Sequence, residues 1–419
     1  MEALAPMALL RHEARALLAR LDAIQSLFFS ETMVPAAAVS TATLEAIERQ
    51  LLSGRSTLRD QLIRFIRWLD GSADVDQAQR QLVFLRLRFN AVLSQLDIFS
   101  DALTQRSEAR TGVWLAGLDA LACDALTLPG YLDPPPLICY LDRGAGAAIR
   151  RARTRLPGGG ENPVAVIRVP RERMIGGAVA SSLIHEVGHQ GVALLRLQQT
   201  VRLALQSRTG QVWRYWERWI NEILADLWSV SRISIGATLG LMAVVSLPRP
   251  FVFRIGLDDP HPFPWIRVRL GCAIGEGLYP HPQWQRLSDS WERLYPRAGL
   301  PHGQLELIDA LLGSLPQLVD LLLEHRTEAL RGNTVRTVLG SARVHASALR
   351  ERGRAWLADP EALRSASPCH VFAVLAQARV DGRISPEKES QLIAALLRDW
   401  AMRRVLARSR PMGGRAVGF

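Results

Sequence analysis

Apolar positions recur at a helical period through the first part of the chain. In TLRDQLIRFIRWLDG, residues 57–71, Leu58, Leu62, Phe65, Ile66 and Leu69 form one stripe, while Arg59, Asp60, Arg64 and Arg67 fall mostly on the other face. Thr57 with Asp60 fits a capping box, which predicts a helix opening at Thr57, and Gly71 supplies a stop. The next segment, QRQLVFLRLRFNAVLSQLDIFSDAL, is apolar enough to pack against it. Residues 1–125 therefore read as an antiparallel helical bundle.

The pattern changes at TLPGYLDPPPLICYLDRGAG. Prolines and glycines punctuate two short β-rich runs, PLICYL and NPVAVIRVP, the second bounded by GGGEN and Pro170. An apolar helix follows, carrying SSLIHEVGHQ, and then a second helical stretch, WERWINEILADLWSV. The apolar run from Ile233 to Leu247 is shorter than the roughly 20 residues a membrane span needs, so it reads as a buried helix or a helix-strand pair. Helical periodicity returns after about residue 300, and the clearest late element is a helix, a DGRIS turn and a second helix opened by Ser385 and Pro386. The tail ARSRPMGGRAVGF reads as frayed. Three regions result, 1–125, 126–300 and 301–419, and the expected fold class is α+β, predominantly helical.

Composition changes this picture little. Hydrophobic content of 48% and a charged fraction of 22% are those of an ordinary globular protein. The net charge of +11 suggests a polyanion partner. However, Lys388 is the single lysine, and the arginines are dispersed along the chain rather than clustered. A solvated basic surface is the simpler reading, and nucleic acid is not an expected partner. The start lacks the features of a secretory signal, and Cys123, Cys139, Cys272 and Cys369 show no paired spacing, so reduced thiols and a cytoplasmic setting are expected.

Candidate chemistry lies in the middle region. His185 and His189, four residues apart, project from one helix face and can share a metal ion. Glu186 sits between them. On the next helix Glu222 can serve as a third ligand. Asp226, one turn later, can accept a hydrogen bond from the far nitrogen of a ligand histidine and so fix its tautomer. Trp213, Trp216 and Trp219 read as packing around this helix rather than as a base-stacking surface.

His185-Glu186-x-Gly188-His189 followed by Glu222-x-x-Ala225-Asp226 resembles the gluzincin metallopeptidases, and among them the HtpX-like and CAAX-prenyl-protease-like group. HPFPWIR adds His261-Pro262 with Arg267 six residues after the histidine, in the order that group has. The resemblance covers roughly residues 160–270. It implies a zincin-like core, a small mixed sheet plus active-site helices, within residues 126–300. It also implies one zinc ion held by His185, His189 and Glu222, with Glu186 as general base towards a zinc-activated water, and Asp226 orienting a ligand histidine. His261 and Arg267 would face the developing oxyanion. The strand from Val164 to Val169, with Val164, Ala165, Val166 and Ile167, would bind an extended substrate along its backbone edge.

The expectation is a zinc metallopeptidase acting on a protein or peptide substrate, with flanking helices that gate the cleft or bind a protein partner. Membrane members of the group surround the site with transmembrane helices, and no such span is read here. Two other readings stand beside it: a catalytically silent scaffold within a larger assembly, and a DNA-associated peptidase. The intact Glu186 speaks against the scaffold, which has no chemical need of a base.

Overall fold

The computed structural model describes residues 5–24, 32–71, 74–143, 146–171, 177–256 and 258–409. It is predominantly helical with one small mixed three-stranded sheet, the α+β class expected. Two compact units are present. The first comprises Met1–Ala116, Pro135–Tyr140 and Arg150–Val166, and the second Gly117–Pro134, Leu141–Ile149 and Ile167–Phe419.

The first unit is built on α1 (Pro6–Asp22), α2 (Thr41–Leu69) and α3 (Val75–Thr104). Leu17, Leu21, Leu58, Leu62, Phe65, Leu82, Leu85 and Phe89 form its helical core. The helix expected to open at Thr57 instead begins sixteen residues earlier. Ser40 caps α2 by accepting from the Thr43 amide, and Thr57 sits mid-helix with its hydroxyl bonded to the Ser53 carbonyl. Thr43 and Ile47 carry the buried stripe upstream, so packing overrides the local capping signal. A second cluster gathers Ile47, Phe99 and Leu103 with Ile138, Val164 and Val166.

After α4 (Ala109–Leu126) come β1 (Leu137–Asp142), β2 (Ala148–Arg150) and β3 (Ala165–Pro170), in the sheet order β1-β3-β2. The segment expected to bind substrate along its edge lies in the middle of the sheet: β3 has β1 on one side and the three-residue β2 on the other, and Val164, Ala165, Val166 and Ile167 are all buried. The near-continuous apolar run in VAVIRV is what an interior strand requires.

The second unit holds α5 (Gly177–Leu194), α6 (Leu197–Gln206), α7 (Gln211–Ile233), α8 (Ile235–Val245), α9 (Arg249–Val252), α10 (Pro264–Leu278), α11 (Gln283–Leu294), α12 (His302–Glu324), α13 (Val335–Leu339), α14 (Ala346–Ala358), α15 (Pro360–Ser365), α16 (Pro368–Val380) and α17 (Pro386–Ser409). Helix α5 packs on α7 and α8, and α10 packs on α7, α8, α11 and α12. The apolar run at 233–247 becomes α8, turned off α7 at Ser234, whose φ is 50°. Ile235, Ala237 and Val245 of α8 are buried, and among the described residues no helix is long and apolar enough to cross a membrane. Ser385 caps α17 as expected, accepting from the Lys388 amide. The tail begins as the last turn of α17, and residues 410–419 lie outside the described residues.

What brings α5 and α7 together is the absence of side chains on one face of α5. A Cβ added at Gly188 would lie 2.9 Å from Trp228 Cβ and 3.0 Å from Ala225 Cα. At Gly191 it would lie 2.4 Å from the Trp228 ring, whose Nε1 donates to the Ala125 carbonyl at 3.1 Å. Replacing Gly191 with alanine is expected to cost about 1–3 kcal/mol through overpacking. Chemical denaturation of the purified variant reads this as a lower midpoint with an unchanged slope.

Candidate metal centre

The close α5–α7 contact sets the site. His185 and His189 lie one turn apart on α5, their rings edge to face with centroids 4.8 Å apart. Both face Glu222 on α7. His185 Nε2 is 3.1 Å from Glu222 Oε2, and His189 Nε2 is 3.6 Å from Glu222 Oε1. One donor atom from each of the three residues lies within 4.8 Å of the others. A tetrahedral ion with bonds near 2.1 Å places neighbouring donors about 3.4 Å apart. The two measured separations straddle that spacing, and two imidazoles with a carboxylate are a suitable donor set. These three residues could therefore hold a metal ion.

Behind the ligands runs a chain of buried polar contacts. His185 Nδ1 donates to Asp226 Oδ1 at 2.8 Å, turning Nε2 towards Glu222. Asp226 is in turn gripped by Arg267 from α10, with Nε at 2.6 Å from Oδ2 and Nη2 at 2.9 Å from Oδ1. Asp226 thus has the orienting position expected for it. Arg267 also borders the cavity beside the site, with its Nε and Nη2 engaged by Asp226 because α10 brings the guanidinium alongside α7. Glu186 is buried beside the ligands and lines a cavity of about 140 Å³ together with His185, Asp226, His261 and Arg267. His189 Nδ1 is buried and has no hydrogen-bond partner among the described residues, so only His185 has a fixed tautomer.

His261 is half exposed. Its Nε2 lies 3.2 Å from Glu222 Oε2, and its Nδ1 lies 2.8 Å from Asp259 Oδ1, which also accepts the His261 amide at 3.0 Å. Asp259 was not singled out from the sequence, although an Asp two residues ahead of a His in DDPHP is a turn signal. Leu241 and Val244 of α8, also missed, form an apolar wall of the same cavity. Their role depends on the turn at Ser234, which no local pattern announces.

Electrostatics follow the contacts. Burial disfavours charge on His185, but Asp226 and the hydrogen bonds to Asp226 and Glu222 outweigh it and push the imidazole up to about 9. Burial would raise Glu222, yet the three imidazoles facing it hold its carboxyl far below the carboxylate range. Asp226 is likewise lowered against burial by Arg267 and His185, and the pair keeps Arg267 charged despite its burial.

No protein-family model matches the chain, and no curated protein or solved structure matches it either. Function can be argued only from the geometry and chemistry of the site itself.

Removing Arg267 leaves Asp226 a buried charge without its counter-ion. Arg267→Ala is expected to cost about 3–5 kcal/mol. Asp259→Ala, at an exposed position, should stay within about 1 kcal/mol. Urea denaturation of the two variants side by side checks the contrast, and equal losses would contradict it.

Proposed function

We propose that the chain is a zinc-dependent metallopeptidase of gluzincin type, with His185, His189 and Glu222 as the zinc ligands. The observation that carries this reading is the convergence of these three donors from two helices, with one of them, His185, lining a cavity that Glu186 also lines. When bound there, zinc supplies a Lewis acid that makes water acidic near neutrality and polarises a carbonyl.

The chain's own groups have distinct parts. Glu186 takes the proton from water and passes it to the leaving amine. Asp226 keeps the His185 Nε2 lone pair directed at the site, and Arg267 keeps Asp226 ionised and in place. His261, steadied by Asp259, has the exposure and reach to donate a hydrogen bond to oxygen as negative charge develops on the substrate carbonyl. Arg267 acts as a positioning residue rather than as a second such donor. The setting we propose is the cytoplasm, since Cys123, Cys139, Cys272 and Cys369 are all free thiols.

Elemental mass spectrometry of the purified protein, with Glu222→Ala and Glu186→Gln variants, tests the reading. The expected result is near one zinc per chain in wild type and in Glu186→Gln, and loss of zinc in Glu222→Ala. Hydrolysis of an unfolded protein such as casein should fall by about 10²-fold or more in Glu186→Gln. A protein that cannot be loaded with zinc refutes the metal centre. Full zinc occupancy with hydrolysis unchanged in Glu186→Gln refutes the peptidase mechanism and leaves the metal site standing.

A further inference from the structure

Away from the metal centre, the first unit carries a groove of about 580 Å³ between α2 and α3. The buried stripes of these helices, Leu62, Phe65 and Leu69 on one and Leu82, Leu85 and Phe89 on the other, pack into the three-helix core with α1. The groove is lined by the positions just before them, Gln61, Arg64 and Trp68 on α2 and Gln81, Phe84 and Arg88 on α3, about 100° round each helix. It thus has the position of a fourth helix beside a three-helix bundle.

Its chemistry is one-sided. Arg64, Arg80 and Arg88 line the groove, and neither an Asp nor a Glu does. Among the described residues, none of the three has a carboxylate partner, whereas three arginines elsewhere on this bundle do: Arg59 pairs with Asp22 at 3.0 Å, Arg86 with Glu13 at 2.6 Å and Arg11 with Asp70 at 3.0 Å. Between the cations lies apolar surface. Phe84 is 54% exposed, which is unusual for a residue of its size. Gln61 Oε1, shielded from solvent, has no hydrogen-bond partner among the described residues.

We infer that this groove docks an acidic amphipathic helix from a partner polypeptide. Its apolar face would cover Phe84 and Trp68, and its flanking carboxylates would meet Arg64, Arg80 and Arg88 in the bidentate geometry that guanidinium favours. A basic helix is repelled by the same three charges. Single-stranded nucleic acid could also use arginine and aromatic groups, but the Arg88 guanidinium already lies 4.4 Å over one face of the Phe84 ring, which leaves a base less of it to stack on. The inference is independent of the metal centre.

The test is a displayed library of helical peptides of randomised surface charge, selected on the full-length protein with counter-selection on Arg64→Glu/Arg80→Glu. Both variants used, this one and Phe84→Ser, change exposed side chains, and matched melting curves confirm that they fold. The expected outcome is enrichment of sequences with Asp or Glu flanking an i, i+3, i+4, i+7 apolar face, each binding at least about tenfold more weakly to both variants by fluorescence anisotropy. No enrichment, or enriched sequences without acidic bias, overturns the proposal. So does binding of a single-stranded oligonucleotide that is lost in the same variants while no acidic peptide is enriched. A wild-type dimer in sedimentation that Phe84→Ser dissociates also overturns it, because the occupant would then be a second copy of the chain.

Discussion

Everything in the metal centre depends on how closely two helices approach. Donor atoms around one ion tolerate errors of a few tenths of an ångström, so the axes of α5 and α7 have to be fixed to that precision. Gly188 and Gly191 make this possible, since neither leaves room for a Cβ against Ala225 and Trp228. Each glycine costs about 1 kcal/mol in helix propensity relative to alanine. The contact they permit offsets that cost, because the whole Trp228 indole is buried against α5 and its N–H is satisfied by the Ala125 carbonyl.

A second constraint acts on the ligands' orientation. Three ionisable groups, His185, Asp226 and Arg267, all largely shielded from solvent, stand in one line of hydrogen bonds from α5 through α7 to α10. Burying charge is expensive, and an apolar set of similar volume would often be no less stable. A polar line therefore argues for a role in geometry: it holds the His185 ring in one tautomer and turns its other nitrogen towards Glu222. His189 meets Glu222 only through Nε2, at 3.6 Å, and its Nδ1 has no partner among the described residues, so the two histidines are unequally held.

The elements most legible in the sequence were those governed by local spacing. A four-residue separation puts His185 and His189 on one face, and the same separation puts Glu222 and Asp226 on one face of the next helix; both pairs meet as the periodicity implied. Features set by long-range packing were not legible in the same way. Thr57 with Asp60 carries a sound local capping signal, yet the apolar stripe continues upstream and the helix runs through it. Arg267 was found by its spacing from His261, but its duty is set by where α10 lies relative to α7. The strand at 164–169 was recognised from its β-rich run. Its place in the middle of the sheet follows from pairing with two distant segments.

Whether such a centre is catalytic or structural turns on the fourth coordination position. Structural zinc sites close the tetrahedron with four protein ligands, and catalytic ones leave one position for water. The natural candidate for a fourth ligand is His261, whose Nε2 lies 3.2 Å from Glu222 Oε2. It is nevertheless outside the group whose donor atoms all lie within 4.8 Å of one another, and Asp259 holds it through both its amide and its Nδ1. The space beside His185 is a cavity of about 140 Å³, large enough for water, with Glu186 on its wall. A buried carboxylate placed there has little structural use, since it is not among the three metal ligands. Its position beside His185 is what supports the proposal that it accepts a proton.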